Sequence, residues 1–441
     1  MTFLVLILAF FLRIVLINDS LWLDESIEAL ALMGKFGPIL TYALGDFQPP
    51  LYHLLTLGLT SIFGFSEIIL RIPSLISGVL TVYFVMRLAN LLFGKKTANL
   101  AGLLAATNPL LIYYSAEGRT YAMTCLFVTA SWYYLSLWLK KPDGRTRLAY
   151  FLFATLSLWT SYLAWFVVGL QALYLMAKKQ KLFLASLLSF STLVIWLPSL
   201  VQSARIASQT LAISPAWGGV VGGISLKAIV LTWVKMVIGR ISFTNTWLYG
   251  TVLVIVGILH ALVLRFRPKN YSLYLWIFGS VFVSALISLV VPVYSYFRLL
   301  FILPAYLLLL AYGIDKSGIK SLWAVFLFSN FIFLSIYWLT PRFHKEDWRS
   351  LVQFLQNENG AALALPSLAQ SAPLTYYGLS LPLLEPQNGV TGDYQTVYYL
   401  PYVEEIFDGQ GRGRANLVSA GYQETSSLSF NLLPILKYEK N

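Results

Sequence analysis

Long apolar runs separated by short polar loops constrain the fold of this chain more than any other feature. Runs of about 17 to 25 mostly apolar residues recur up to roughly residue 340, and such runs are long enough to cross the hydrocarbon layer of a bilayer as helices. The chain is 58% hydrophobic and only 11% charged, with a mean hydropathy of +0.70, which excludes a soluble globular protein. We therefore predict a multi-pass α-helical membrane protein.

The positions of the lysine and arginine residues predict which loops lie on which side. We expect about eleven membrane-spanning helices, and if each crosses once, five loops rich in basic residues fall on one face, which is cytoplasmic by the positive-inside rule. The opposite face then holds the loops 19–68, 115–120 and 200–244 and everything after residue 341. The apolar pieces 50–65 and 226–241 are predicted to lie in the outer interface instead of spanning. The predicted spans are 2–18, 69–92, 97–114, 121–139, 148–161, 163–177, 182–199, 245–264, 271–291, 297–313 and 320–340.

Charge and cysteine content narrow the class further. The net charge of +12 is carried mostly by the loops that set topology, so it does not indicate a nucleic-acid partner. The one cysteine, Cys125, lies inside an apolar run and has no second cysteine to pair with. The run 2–18 lacks a basic segment before it and a small-residue cleavage site after it, so we expect a retained first helix.

The composition changes after Thr340-Pro341, where charged residues return. An amphipathic helix is predicted from Asp347 to about Gln356, followed by strand-like runs at 361–366, 396–402 and 417–420. Helix alternating with strand predicts a small α/β domain of about 100 residues outside the membrane. The predicted organisation is a transmembrane catalytic domain over 1–340 and an extracytoplasmic α/β domain over 341–441.

Carboxylates concentrate on the predicted outer face, where proximity to lipid makes them costly without a function. Asp24 and Glu25 follow the first span, Asp46 precedes a proline pair, and Glu117 lies in the loop 115–120. A carboxylate at a dry interface has a raised proton affinity and can accept a proton from a hydroxyl or an amine. We predict Asp24, Glu25 and Glu117 as catalytic residues, although an acid such as Asp24 is also typical of a helix N-cap.

The segment after Asp46 adds further candidates. The pair Pro49-Pro50 fixes the direction of the backbone without supplying donors, and Tyr52 and His53 are expected to face the site or the headgroups. A structural hydrogen-bond role is the alternative for His53. With three histidines in the whole chain, a multi-histidine metal site is not predicted, while a divalent ion bound by carboxylates stays open.

An anionic substrate needs cations on the same face. Arg119 and Arg298 are the main candidates because a guanidinium suits bidentate phosphate contact. The alternatives are an ion pair with Glu117 for Arg119 and snorkelling to the interface for Arg298. The further outer-face cations are Arg71, Arg205, Lys227, Lys235 and Arg240.

At these residues the chain resembles the GT-C glycosyltransferases of the protein O-mannosyltransferase and aminoarabinose-transferase kind, a group similar to glycosyltransferase family 39. Each motif is weak alone, but their order is fairly specific for the superfamily, and they span nearly the whole chain. The motifs are Asp24-Glu25, Pro49-Pro50-Leu51-Tyr52-His53, Arg71-Ile72-Pro73-Ser74, Phe93-Gly94-Lys95, Asn108-Pro109, Ser115 to Ala122 with Glu117, Arg119 and Tyr121, Arg298 to Pro304, and Asp347-Trp348-Arg349.

The resemblance implies a transferase that takes a sugar from a polyisoprenyl-phosphate donor and passes it to an acceptor outside the cytoplasm. It implies that Asp24 activates the acceptor and that Glu117 helps to position donor or acceptor. The aminoarabinose transferases carry a phosphate-contacting lysine immediately before the proline pair, and here that place is Gln48. Arg119 or Arg298 would then neutralise the phosphate, and lipid A becomes a weaker expectation as the acceptor.

The combined prediction is an inverting glycosyltransferase of the plasma membrane, with its site and its tail on the extracytoplasmic side. Its partners would be membrane lipid, the lipid-linked donor and a protein, lipid or glycan acceptor. Two alternatives remain: a ligase or polymerase of polyprenyl-linked glycans, and a lipid or solute transporter, which would usually show charges at the bilayer midplane and repeat symmetry. The predicted substrate-binding residues are Asp46, Gln48, Tyr52, His53, Arg119, Tyr121 and Arg298.

Overall fold

The protein is mostly helical up to residue 339 and carries a small sheet domain after it. The computed structural model describes all residues except 36, 38, 47, 199–200, 203–204, 206–221, 320 and 441. About half of the predicted outer loop 200–244 therefore lies outside the described residues, as do the end of the predicted span 182–199 and the start of the span 320–340.

The helices of the first half follow one another with short connections. They are α1 (Thr2–Ile14), α2 (Leu23–Leu32), α3 (Ile39–Gly45), α4 (Leu51–Phe63), α5 (Glu67–Phe93), α6 (Lys95–Thr107), α7 (Pro109–Ser115), α8 (Tyr121–Lys140), α9 (Gly144–Leu158), α10 (Tyr162–Ala177) and α11 (Phe183–Ser191). The second half continues with α12 (Leu226–Ile238), α13 (Thr246–Leu264), α14 (Tyr271–Tyr274), α15 (Ser280–Ile287), α16 (Leu303–Lys316) and α17 (Leu322–Leu339).

Four of the described helices, α5, α8, α13 and α17, are long and apolar enough to cross a membrane by length and composition. Shorter apolar helices accompany them at Thr2–Ile14, Leu51–Phe63, Tyr162–Ala177, Phe183–Trp196 and Tyr271–Ile287. The last of these segments contains a π-helical turn, Leu275–Gly279, between α14 and α15. Helices suit this environment because they satisfy every backbone donor and acceptor within the segment.

The segment predicted as one span over 97–114 is two helices, because Asn108-Pro109 interrupts it. The side chain of Asn108 caps α7 by accepting from the backbone N–H groups of Leu110 and Leu111, and Pro109 at the first position has no N–H to lose. The broken end of α6 is satisfied by Arg13 of α1, which donates to the carbonyls of Ala105 at 3.1 Å and Ala106 at 2.9 Å. This buried guanidinium joins α1 to the break.

The tail after residue 340 is a mixed sheet with helices on both faces. Its strands are β1 (Ala361–Ala364), β2 (Leu383–Leu384), β3 (Thr396–Tyr399), β4 (Tyr422–Phe430) and β5 (Leu433–Lys440), in the order β2-β1-β3-β5-β4. β1 is parallel to β2 and β3, while β3 and β4 run antiparallel to β5. The described helices of the tail are α18 (Trp348–Leu355), α19 (Ala372–Tyr376), α20 (Glu404–Phe407) and α21 (Arg412–Ser419).

Alternation along β1 explains why this strand is apolar throughout. Ala361 and Leu363 pack on the side of α18, and Ala362 and Ala364 pack on the side of Leu417 in α21, since successive side chains point to opposite faces. The prediction of a strand over 417–420 was wrong: this segment belongs to the end of α21, whose side chains cover the sheet, and the hairpin of β4 and β5 was not predicted.

The tail packs directly on the loop after α1. Arg349 of α18 pairs with Glu67 at the start of α5 at 2.6 Å, and the hydroxyl of Tyr377 donates to the same carboxylate at 2.9 Å. The backbone N–H of Leu21 donates to the Tyr377 hydroxyl at 2.8 Å. These contacts fix the sheet domain over the acidic segment that follows α1.

Candidate functional site

Helix α2 presents two of its acids on one face. Asp24 and Glu28 are four residues apart, so they lie one above the other on the helix, while Glu25 points elsewhere. Trp22 occupies the N-cap position, and its backbone N–H is 3.5 Å from the Glu25 carboxylate. Asp24 therefore lies inside the first turn and is not the capping residue.

Glu25 is buried at the meeting point of four segments. Its carboxylate accepts from Arg71 of α5 through both guanidinium arms, at 2.9 and 2.6 Å, from Lys345 at 2.8 Å and from the backbone N–H of Gly118 at 2.6 Å. Burial disfavours its charged form, but Arg71 and Lys345 outweigh this effect and lower the pKa of Glu25 to about 2. These contacts are typical of a carboxylate that holds structure together.

Asp24 lies in a more open recess. Its carboxylate is 3.6 Å from the Arg119 guanidinium, and its side chain is 35% exposed. Burial of the surrounding recess raises its pKa, while Arg119 and Arg298 act in the opposite direction and the charges of Asp46 and Glu25 add to the rise. Asp24 is therefore an accessible carboxylate with increased basicity. Its ion pair with Arg119 also replaces the Glu117 pair considered above for that arginine.

Glu28 and Asp46 bind opposite edges of the His53 ring. Nδ1 of His53 is 2.6 Å from Glu28 and Nε2 is 3.0 Å from Asp46, and the histidine is 2% exposed. The hydroxyl of Thr56 donates to the second oxygen of Glu28 at 3.1 Å. His53 thus faces the acids beside the recess and not the headgroups.

The proline pair positions α4 so that Tyr52 points inward. Pro50 precedes the helix in an α-like conformation, and the Tyr52 hydroxyl donates to the carbonyl of Leu70 at 3.0 Å and lies 3.1 Å from the Ser74 hydroxyl. Tyr52 was expected to face the site or the headgroups, but its side chain is buried inside the protein. Residues of α5 on either side of Pro73 supply the polar partners for its hydroxyl there. The side-chain oxygen of Gln48 is buried and has no hydrogen-bond partner among the described residues.

Glu117 is the second unusual acid of the site. It is 2% exposed, and one of its carboxylate oxygens is buried without a hydrogen-bond partner in the described part of the chain. Burial raises its pKa to about 7, with Lys345 opposing the rise and Glu25 adding to it. A carboxyl group in this state can hold or release a proton near neutral pH.

Arg119, Arg298 and Tyr121 complete the recess around Asp24. Tyr121 packs edge-on against Phe297, with ring centroids 5.2 Å apart, and Arg298 donates to the carbonyl of Pro292 at 3.3 Å. The Nε atom of Arg119 is buried and has no partner among the described residues. Two guanidinium groups thus share the recess with one accessible acid.

Other predicted cations are used elsewhere in the structure. Arg71 forms an ion pair with Glu25. Arg240 donates to the Tyr113 hydroxyl, and Lys235 donates to the carbonyls of Arg240 and Ile241 at 3.1 Å. Lys227 is exposed on α12.

Sequence reasoning missed Lys345 as a site residue. Its ammonium group, 6% exposed, donates to Glu25 and, at 2.9 Å, to the carbonyl of Ala116 beside Glu117. It precedes the Asp347-Trp348-Arg349 motif by two residues, and this proximity is the signal that could have found it. The adjacent Glu346 accepts from the Tyr402 hydroxyl at 3.3 Å.

The acids do not form a metal site in the part of the chain that the structure describes. No group of three or more histidine, cysteine, aspartate or glutamate side chains is placed to hold an ion there. Asp24 faces an arginine, Glu25 is saturated by cations, and Glu28 and Asp46 share His53. The divalent ion that the sequence left open does not fit this donor set.

Comparisons with known proteins agree with this architecture. Residues 47–202 match the family model of dolichyl-phosphate-mannose-protein mannosyltransferase. The crystal structure of ArnT from Cupriavidus metallidurans bound to undecaprenyl phosphate superposes with a TM-score of 0.56 at 11% identity, covering 98% of this chain and 96% of that chain. No curated protein matches the chain significantly.

Two structures of the Archaeoglobus fulgidus oligosaccharyltransferase are also similar. The complex with Zn and sulfate gives a TM-score of 0.55 at 13% identity, covering 100% of this chain and 73% of that chain. The form tethered to an acceptor peptide with an NVT sequon gives 0.53 at 13% identity, with 100% and 74% covered. At such identities the likeness shows the fold alone, which this chain shares with ArnT and the oligosaccharyltransferase.

Proposed function

We propose that this chain is a membrane glycosyltransferase of the protein O-mannosyltransferase and aminoarabinose-transferase kind, and that it transfers a sugar from a polyisoprenyl-phosphate donor to a hydroxyl acceptor outside the cytoplasm. The observation that carries this proposal is the recess in which an accessible acid, Asp24, faces Arg119 and Arg298. The lipid-phosphate class of donor is supported by the undecaprenyl phosphate in the ArnT structure.

Asp24 acts as the general base in this proposal. Its carboxylate takes the proton of the acceptor hydroxyl, and the acceptor oxygen forms a bond to the anomeric carbon of the sugar. The bond from that carbon to the phosphate oxygen breaks, and the polyisoprenyl phosphate leaves with the electron pair. A single displacement of this kind inverts the anomeric configuration. The raised proton affinity of Asp24 supports the assignment, since a base works best when its pKa approaches the working pH.

Arg119 and Arg298 stabilise the departing phosphate. The leaving group gains negative charge as the bond breaks, so fixed cations in a partly buried recess lower the barrier. The unpartnered Nε of Arg119 and the unpartnered oxygen of Gln48 are polar atoms available for hydrogen bonds to the substrates. Arg119 would take the phosphate contact that a lysine makes in the aminoarabinose transferases, because Gln48 carries no charge.

Glu117 and Glu25 take separate parts in the proposal. Glu117 is close to the recess and titrates near neutral pH, so we assign it to positioning the acceptor or donor through a hydrogen bond. Glu25 is fully paired with Arg71 and Lys345 and holds α2 in place, so that Asp24 keeps its orientation. In this proposal Asp24 takes part in the reaction, and Glu25 holds the helix that carries Asp24.

Replacing Asp24 tests the proposed base. The purified protein in lipid nanodiscs is incubated with polyisoprenyl-phosphate mannose or related sugar phosphates, radiolabelled in the lipid, together with a cell-envelope extract that supplies hydroxyl acceptors, and release of polyisoprenyl phosphate is followed by thin-layer chromatography. Asp24→Asn keeps the shape but cannot accept a proton, so we expect a loss of turnover of at least about 100-fold with unchanged donor binding. Asp393→Asn, at an exposed tail carboxylate, should turn over normally, and sustained turnover by Asp24→Asn would refute the assignment.

A further inference from the structure

The cluster formed by Glu28, His53 and Asp46 lies beside the proposed base, and its chemistry suggests a specific task. An ionised carboxylate accepts hydrogen bonds and cannot donate them. Both ring nitrogens of His53 lie within hydrogen-bond distance of carboxylate oxygens, at 2.6 and 3.0 Å. If both acids are ionised, both ring nitrogens must donate, and the ring is an imidazolium.

The surroundings of the ring hold this arrangement in place. Tyr42 of α3 packs edge-on against the imidazole with centroids 5.5 Å apart. Thr56, one turn further along α4, donates to the Glu28 oxygen that His53 does not bind. His53 and Glu28 are 2% exposed, so water competes little for their hydrogen bonds. The described groups that face His53 are therefore Glu28, Asp46, Tyr42 and Thr56.

Asp46 connects this cluster to the catalytic recess. It comes directly after α3, and its side chain is only 10% exposed. Its charge acts on both Asp24 and Arg119. Among the described residues, the groups that interact electrostatically with Asp24 are Arg119, Arg298, Glu25, Asp46, Tyr42, Tyr121 and Tyr402. Of the two acids in this set, Asp46 is the one that His53 holds by a hydrogen bond.

We propose that His53 is a positioning residue: held between Glu28 and Asp46 as an imidazolium, it fixes the Asp46 carboxylate against the Asp24–Arg119 pair. The fixed negative charge disfavours ionisation of Asp24 and competes for Arg119, which keeps the base reactive instead of locked in a tight ion pair. The inference rests on the proposed role of Asp24, and it gives the segment Asp46 to His53 a function beyond direct substrate contact.

The first test reads the charge state of His53 and needs no turnover. The full-length protein with ¹⁵N-labelled histidine, in lipid nanodiscs at pH 7.5, is measured by NMR, and the His53 signals are assigned with the double variant His260→Gln/His344→Gln, which leaves His53 as the one histidine of the chain. Two protonated ring nitrogens on His53 support the proposal, and a neutral ring overturns it. His260 is a suitable reference because it is also buried and its Nδ1–H donates to a neutral group, the backbone carbonyl of Val256, at 2.8 Å.

The second test measures how turnover with polyisoprenyl-phosphate mannose depends on pH, because the acid limb of this profile reports the protonation of Asp24. In His53→Gln, Asp46 loses its charged anchor, so Asp24 becomes a weaker base. We expect kcat to fall about tenfold or more, the donor KM to stay within about twofold, and the acid limb of the profile to move to lower pH. His260→Gln should leave the limb in place. A fall in kcat with an unmoved limb would mean a merely structural role and would overturn the proposal.

Asp46→Asn supplies the matched second variant if His53→Gln folds poorly. It keeps the shape and one hydrogen bond to His53 but removes the charge, so the acid limb should move in the same direction, and the double variant should move it no further. An independent, additive shift contradicts the proposal. Failure of the proposed function looks different: either the wild type releases no polyisoprenyl phosphate, or Asp24→Asn retains turnover, while the NMR result still decides the state of His53.

Discussion

At the scale of single residues, two buried acids of the candidate site, Glu25 and Glu117, have opposite environments. Glu25 is surrounded by donors and stays ionised, whereas Glu117 is buried with an unsatisfied oxygen and has a pKa raised to about 7. The sequence could place these acids on one face, but it could not tell them apart. The difference comes from Arg71 and Lys345, which lie 46 and 320 positions from Glu25 along the chain.

The raised pKa of Glu117 predicts how stability depends on pH. Its pKa in the folded chain is about 7 against an ordinary value of 4.5, so folding favours the protonated form. The loss of folding stability caused by this shift is absent below about pH 4.5 and grows as the pH rises towards 7. Glu117→Gln should therefore unfold at the same temperature as the wild type at low pH and at a higher temperature at pH 8, with a difference of up to about 3 kcal/mol.

Thermal unfolding of both proteins in the same detergent between pH 5 and pH 8.5 measures this difference. Glu405→Gln changes an exposed acid of the tail and should show no such trend with pH. A stability difference between wild type and Glu117→Gln that stays constant over this range would contradict the buried, titrating state of Glu117.

At the scale of elements, the apolar pattern predicted most helices, and local breaks account for the differences. The predicted interfacial pieces 50–65 and 226–241 correspond to α4 and α12. The prediction missed the division at Asn108-Pro109, since a proline in an apolar run is also compatible with a kinked span. It also assigned 417–420 to a strand, because a short apolar run cannot be distinguished from a helix end by its period.

Glu25 joins elements that are far apart in the chain, and this predicts a large loss of stability when it is neutralised. Glu25→Gln leaves the buried Arg71 and Lys345 without a compensating charge, and breaking such a buried pair destabilises by roughly 3–5 kcal/mol. We expect a clearly lower unfolding temperature in detergent. Glu439→Gln, which removes an exposed pair with Lys437 in β5, should leave the unfolding temperature nearly unchanged.

Glu25→Gln also tests how the stabilisation by Glu25 depends on pH. The pKa of Glu25 is lowered to about 2, so its stabilisation is complete above the ordinary value of 4.5 and is lost as the pH falls towards 2. The gap between wild type and Glu25→Gln should therefore narrow on acidification. Equal unfolding temperatures at pH 7 would show that Glu25 does not anchor these elements.

At the scale of the whole molecule, the arrangement of helices and tail explains why the recess around Asp24 depends on both parts of the chain. The tail supplies Lys345 to the carboxylate network and Arg349 to Glu67, so the loop that carries Asp24 is held from two sides. The sequence predicted a tail on the same face as the acids from loop charges alone. It did not predict these contacts, which depend on side chains more than 280 positions apart.

This shared face leads to a prediction about topology. In a Cys125→Ser background, which removes the one native thiol, a cysteine in place of the exposed Pro142 should react only with reagents that reach the cytoplasm, because the basic loop around it is retained inside. A cysteine in place of the exposed Ser380 in the tail should react with a membrane-impermeant maleimide added to intact cells. Both positions lie on exposed loops, so labelling should not disturb folding. If the two cysteines were labelled from the same side, the predicted topology, with the loop before α9 and the tail on opposite faces of the membrane, would be wrong.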